Sequence, residues 1–264
     1  MRIELEDNKN TVHEEPAKVE APVKFSDLSG KKKAEYIWDY YKWWFIGGLL
    51  AIAVLVTFIR DYRENSKPTY LYVEMLNTYF GYDKTNTLYD DYAKAAGIDL
   101  TREHLTIGTD TTLSVGNFDT TMIAFQQRLM ANYAAQEIDV VIGPKNIIEG
   151  PANCDCYANF DKIIPQDLMD ELIDRGYEFW YYDPAKDDEE GKTVDGSAPY
   201  CAGVYLDTCS YLNNMGENGA YPVATTEDDR PVLTIAANSQ RIDHAVGFLR
   251  FITTDGSLPD KDGE

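Results

Sequence analysis

The stretch IDVVIGP, Ile138 to Pro144, decides how the large part of this chain is read. It is a short continuous apolar run closed by Gly143-Pro144, the pattern of a strand covered on both faces, as in a parallel sheet. Upstream, Met122, Ile123, Phe125, Leu129, Met130 and Tyr133 recur at three- and four-residue steps, which predicts an amphipathic helix capped by Asp119 or Thr120. Further back, HLTIGTD (104–110) and TYLYVEML (69–76) read as strands. TNTLYDDYAKAAGI (85–98) between them reads as a helix stopped at Gly97. Downstream the theme returns as a strand over 232–237, Asn238 or Ser239 as cap, and a helix burying Ile242, Val246, Leu249 and Ile252. Strand alternating with helix predicts an α/β sheet with right-handed crossovers.

A second stretch sets the solvent these elements meet. From Trp43 to Ile59 there are 17 consecutive residues without a charge, ten of them Leu, Ile, Val or Phe. At 1.5 Å per residue that is about 25 Å of helix, enough to cross a hydrocarbon core. Tyr36, Trp38, Tyr40, Tyr41, Trp43 and Trp44 crowd its leading edge, where amphipathic rings prefer the headgroup layer, and Lys42 and Arg60 flank it. A signal peptide would start near residue 1 and end in a small-residue cleavage site, whereas Phe58-Ile59-Arg60 follows this run. A soluble core helix seldom has an uncharged perimeter for over four turns. The expectation is one transmembrane helix over 35–60, after a disordered cytoplasmic tail over 1–34. A linker over 61–68, a domain over 69–254 and a flexible tail over 255–264 follow.

Charge divides the chain at the same place. Residues 1–60 hold 9 basic and 9 acidic side chains and residues 61–264 hold 15 and 36, so the whole net charge of −21 lies beyond the span. The lysine triplet Lys31-Lys32-Lys33 before a first span favours a cytoplasmic N-terminus, which puts the acidic domain outside the cell at the plasma membrane. An acidic domain argues against nucleic acid, which selects Lys and Arg patches. Cys154, Cys156, Cys201 and Cys209 all fall in this domain. An even count outside the cell permits two disulfides, with Cys154 and Cys156 each pairing to Cys201 or Cys209, and free buried thiols are the other reading. A zinc site is the rival, but the C-x-C and C-x7-C spacings are not the usual pairs and His104 and His244 are isolated.

Three segments carry a family resemblance. QQRLMANYAAQEIDVVIGP, ANFDKIIPQDLMDELID and LTIAANSQRIDHAVGFLRFI resemble, in that order, stretches of the extracellular solute-binding proteins of ABC importers, the type 2 periplasmic-binding fold. The resemblance covers about half of residues 69–254. It implies a mainly parallel sheet, a second lobe reduced in size, and capture of a small solute beside a transporter. The chain departs from that family in having a helix anchor in place of a lipid-modified cysteine, and a domain too short for two full lobes. KKKAEYIWDYYKWWF also resembles the cytoplasmic edge of single-span proteins of Gram-positive bacteria.

In open α/β sheets ligands sit beyond the carboxyl ends of the strands. That rule selects Asn77, Thr78, Thr109, Thr111, Gly143, Asn238 and Ser239 as candidate ligand-binding residues, although each is also an ordinary turn or cap residue. EFWYYD (178–183) offers a stacking face for a sugar or, more simply, strand core. DPAKDDEEGKTVDG (183–196) is acidic without the calcium-loop spacing of a D-x-D-x-D-G pattern. No G-x-S-x-G, H-E-x-x-H or G-x-x-x-x-G-K motif occurs, so neither enzyme activity nor a cofactor or metal is expected. The expectation is a membrane-anchored binding module for a small solute. The alternative is an envelope scaffold that keeps the fold and docks a protein partner.

Overall fold

The computed structural model describes residues 29–113, 120–152, 156–183, 198–215 and 218–258. The chain forms two compact units, Met1–Ser66 and Lys67–Glu264. The first contains α1 (Gly30–Asn65), 36 residues and therefore about 54 Å long. It starts earlier and ends later than the predicted 35–60, because Lys31–Glu35 and Arg60–Asn65 are charged but helix-compatible and simply continue it. Its segment Tyr41–Asn65 is long and apolar enough to cross a membrane, and none of it is buried within the protein. Only Ser66, Lys67 and Pro68 separate it from the first strand. The expected disordered tail lies outside the described residues up to position 28.

The second unit runs β1 (Thr69–Leu76), α2 (Tyr82–Ala96), β2 (His104–Thr111), α3 (Thr120–Ala134), β3 (Val140–Pro144), α4 (Lys145–Ala152), α5 (Phe160–Ile163), α6 (Gln166–Asp174), β4 (Phe179–Tyr182), β5 (Tyr200–Tyr205), α7 (Ser210–Asn213), β6 (Pro231–Ile235) and α8 (Ile242–Thr253). The strands form one six-stranded sheet in the order β2-β1-β3-β6-β5-β4. β1 pairs parallel with β2 and β3, whereas β6 lies antiparallel between β3 and β5, and β4 is antiparallel to β5. The sheet is therefore mixed, not mainly parallel. An apolar run reports burial on both faces, which holds for every residue of β6, and carries no information on strand direction. The described residues form one sheet, and a second lobe is not among them.

Each face has its own core. One is built on Leu71, Val73 and Met75 of β1, packed with Leu88 and Tyr92 of α2 and Phe248, Leu249 and Ile252 of α8. The other joins Leu76, Val141 and Val232 to Leu129 and Tyr133 of α3, Ile148 of α4, Tyr157 and Trp180. Helix α2 ends as its sequence dictates, with Gly97 left-handed at φ 67° and its N–H turned back to the last carbonyls. α3 is less buried than its periodicity predicts: Leu129 and Tyr133 are covered while Ile123 and Met130 are 42% and 37% exposed. Leu129 and Tyr133 join the second core from its C-terminal half. Beyond α8 the chain does not fray at once, since Gly256 donates its N–H to the Phe251 carbonyl and Leu258 packs against the first core.

Candidate functional site

The antiparallel course of β6 splits the seven strand-end residues between opposite ends of the sheet. β1, β2, β3 and β5 point one way, and their carboxyl ends carry Asn77, Thr78, Thr109, Thr111 and Gly143. Pro144 faces Pro231, the first residue of β6, and Val140 faces Ile235, its last. Asn238 and Ser239 therefore lie at the amino ends of the parallel strands, away from the other five.

At the carboxyl end, the polar groups are engaged by the protein itself. Asn77 adopts φ 57°, its backbone N–H donates to the Thr111 carbonyl at 2.8 Å, and its side-chain amide donates to the Leu113 carbonyl at 2.7 Å. The Leu113 N–H donates in return to Asn77 Oδ1. Asn tolerates the left-handed region, and here it zips the end of β1 to the chain leaving β2. The Thr78 hydroxyl donates to the Thr109 carbonyl at 3.0 Å, and the Thr85 and Thr109 hydroxyls share a hydrogen bond. Thr111 donates to Glu74 Oε1 at 2.7 Å. Gly143 is buried against Leu76, whose Cβ would stand 3.0 Å from a Cβ at position 143, a tight contact that a larger residue could take only with a small shift.

Two charged clusters escaped the sequence reading. Glu74 of β1 is 3% exposed, and its Oε1 also accepts from Arg128 of α3 at 3.2 Å, while its Oε2 accepts from the Tyr72 hydroxyl at 3.1 Å. Burial, reinforced by the Glu74 charge, pushes the Tyr72 phenol up to about 12. At the other end, fully buried Asp139 accepts from the Tyr72 backbone N–H at 2.8 Å, from Arg241 Nε at 2.8 Å and from the Ser239 hydroxyl at 2.6 Å. Arg241 continues to the Gln136 and Glu137 carbonyls at 3.1 and 2.9 Å, and the Asn238 amide donates to the Tyr133 carbonyl at 2.6 Å. Asn238 and Ser239 thus brace the sheet, and α8 begins later, after Arg241. The available signal was a carboxylate inside an apolar run, Glu74 in YVEML and Asp139 in IDVVI, since a buried charge requires a partner.

The carboxyl end also bears an open groove of about 560 Å³ where β5 ends and β6 begins, lined by Asp207, Asn218, Tyr221, Thr225, Glu227 and Arg230 among others. None of the seven candidates lines it. The Arg230 guanidinium is held by Asp207 at 2.9 Å and Glu178 at 2.8 Å and lies 3.8 Å from the centroid of the Tyr205 ring. Lys145 donates to Glu227 at 2.9 Å, and the Tyr205 hydroxyl reaches the same carboxylate at 3.3 Å. The charged groups of the lining are pre-organised by these ion pairs, and Tyr221, Pro222, Val223, Ala224 and Pro231 add apolar surface beside them, so a guest meets paired charges and apolar side chains instead of an isolated charge.

The Lys145 hydrogen bond holds the Glu227 carboxyl below its ordinary value of 4.5. A depressed folded-state pKa stabilises the fold above the unfolded value, and this contribution is lost as pH falls through the folded value. The wild-type melting temperature should therefore fall more steeply below pH 4.5 than that of Glu227→Gln, as a pair of melting-temperature profiles against pH will show. Superimposable profiles would mean that the Lys145–Glu227 contact is too solvent-screened to count.

Cys201 and Cys209 are buried free thiols. Cys209 donates to the Ile252 carbonyl at 3.2 Å and Cys201 to the Gly203 carbonyl at 3.7 Å. Both belong to the first core. Burial pushes the Cys201 thiol up to about 12 and raises that of Cys209, so both stay protonated at neutral pH. Cys156 is half-buried, and Cys154 lies outside the described residues. In EFWYYD, Trp180 and Tyr182 are core and Tyr181 is exposed, as an edge strand with one buried face requires. The acidic segment lies outside the described residues from position 184 to 197. Among the described residues no three His, Cys, Asp or Glu side chains gather to hold a metal ion.

Comparison with protein families, with curated proteins and with solved structures finds no match to this chain.

Proposed function

We propose that this protein is a single-span envelope protein whose acidic outer unit is a docking module for another protein. In this reading α1 crosses the plasma membrane with its N-terminus in the cytoplasm, and the unit from Lys67 onward stands outside as a scaffold built on a degenerate solute-binding fold. The carrying observation is the internal engagement of Asn77, Thr78, Thr109 and Thr111: the groups a strand-end cleft would turn toward a solute are used to close the strand ends. The single described sheet, with no second lobe to close over a ligand, supports the same reading.

The groove at Tyr221 and Arg230 favours a second reading, a module for a small polar solute. A thermal-shift screen of the full chain in detergent against sugars, amino acids, short peptides and divalent cations separates the two. A solute at about 100 times its dissociation constant adds about 2.7 kcal/mol, or about 5 to 11 °C for a domain of this size. The docking reading expects no such shift, together with a photo-crosslink from exposed Val223 to one envelope protein in intact membranes. A shift abolished by Tyr221→Ala would replace it with the solute reading.

A further inference from the structure

α1 is longer than a bilayer requires. Its uncharged run begins at Trp43, yet the helix already starts at Gly30, so about 20 Å of helix precede the hydrocarbon edge. This leading segment carries Lys31, Lys32, Lys33 and Lys42 against Glu35 and Asp39, a net charge of +2 in a chain of −21. Around the helix, Lys31, Lys32 and Lys42 share a sector of about 100° with the two acids. Ala34, Trp38, Tyr41 and Phe45 form the neighbouring stripe, which leads into the apolar run. Trp38, Trp43 and Trp44 are 61%, 72% and 80% exposed within the protein, and Tyr41 is 45% exposed.

The geometry points to this leading segment of α1 as an anionic-phospholipid recognition element, its lysines gathering acidic headgroups around the aromatic edge of the span. The inference rests on the reading of α1 as a membrane span. Lys42 stands one residue before the run, at the depth of the phosphates, and its contact with Asp39 at 3.6 Å is an exposed i,i+3 pair of little strength. The triplet stands further out, at least ten residues before Trp43 and so about 15 Å or more along the axis. The headgroup layer and the reach of a lysine side chain take up most of that distance, and the remainder falls within a screening length of about 8 to 10 Å. The lysines therefore act on the lipid surface in two ways: Lys42 by contact, and the triplet through a field that salt removes. Four lysines next to a span meet the minimum for an anionic-lipid patch, and the two acids moderate the attraction without reversing it. The four Trp residues of the chain are Trp38, Trp43, Trp44 and Trp180, so three of them report directly on the lipids around this segment.

The test reconstitutes the full chain in phosphatidylcholine–phosphatidylglycerol vesicles and compares Trp quenching by brominated phosphatidylglycerol with that by the same mole fraction of brominated phosphatidylcholine. The brominated anionic lipid should quench about two- to threefold more strongly, a ratio set by the net +2 charge. The excess should fall at about 1 M salt to the part made by contact, since screening then shortens to about 3 Å. It should also fall in the variant carrying Lys31→Gln, Lys32→Gln and Lys33→Gln, whose segment has a net charge of −1 by the same count, to the part that Lys42 makes by contact. Equal quenching by the two lipids overturns the recognition and leaves the span standing. No quenching by either overturns the span and the recognition with it. An excess undiminished in the triple variant overturns the part given to the triplet.

Discussion

Asp139→Ala should cost about 3 to 5 kcal/mol of unfolding free energy, because it removes one partner of a buried charge pair and leaves the other uncompensated. Asp139 accepts from three parts of the fold: the backbone of β1 at Tyr72, the Ser239 turn after β6, and Arg241 at the start of α8. Its loss strands the Tyr72 N–H inside the sheet and leaves the Arg241 side chain, 20% exposed, facing a void. A stable domain holds about 5 to 15 kcal/mol in all, so the variant gives up a third or more of a typical reserve. Asp139→Asn keeps an acceptor for the backbone and Ser239 but loses the charge, and should fall between the two. Urea unfolding followed by circular dichroism of the second unit measures all three proteins. A loss under about 1 kcal/mol for Asp139→Ala would show that water replaces the carboxylate at little cost and that the cluster is only a surface feature.

The same cluster shows how far the sequence could be read. The apolar runs at 69–76, 104–110 and 138–144 became β1, β2 and β3, and Gly97 stopped α2, because burial on both faces and a left-handed cap are local demands that local residues answer. Strand direction is not local. The residues of β6 satisfy a parallel or an antiparallel neighbour equally well, and the direction was set by the path of the chain through β4 and β5. That one fact moved Asn238 and Ser239 to the far end of the sheet and dissolved the seven-residue cleft. α3 departs in a related way: three- and four-residue spacing marks a face that can be buried, while among its described side chains Leu129 and Tyr133 are covered and Ile123 and Met130 are exposed. The cysteines were read from count and compartment, yet Cys201 and Cys209 hydrogen-bond to different carbonyls in the core. The groove was invisible because its lining comes from Asp207 and from residues 213–231, a stretch with no periodicity to read.

Phe248→Ala should rival the loss of Asp139, at about 3 to 5 kcal/mol, through a different mechanism. Phe248 is fully buried on α8, edge-on to the Tyr92 ring of α2 at 4.9 Å, with Phe251 tilted beside it at 6.5 Å. Phe251 in turn meets the rings of Tyr92 at 5.2 Å and Tyr211 at 5.1 Å, so the removed ring belongs to a cluster tying α2, α7 and α8 over one face of the sheet. The Tyr92 hydroxyl also donates to the His244 carbonyl at 3.2 Å, which fixes α2 against the first turn of α8. That tether limits how far the helices can close on the cavity, so the cost belongs at the upper end of the range. Phe248→Leu keeps most of the volume and should lose less than half as much. A double-mutant cycle with Tyr92→Leu isolates the ring pairing, expected at about 0.5 to 1.5 kcal/mol beyond the area buried. Additive losses in that cycle would mean that the face is held by apolar volume alone. Coupling in that range would mean that ring geometry fixes the spacing of α2 and α8, where Phe248 and Phe251 carry the burial that the sequence spacing assigned to Ile242 and Val246, both only half-buried.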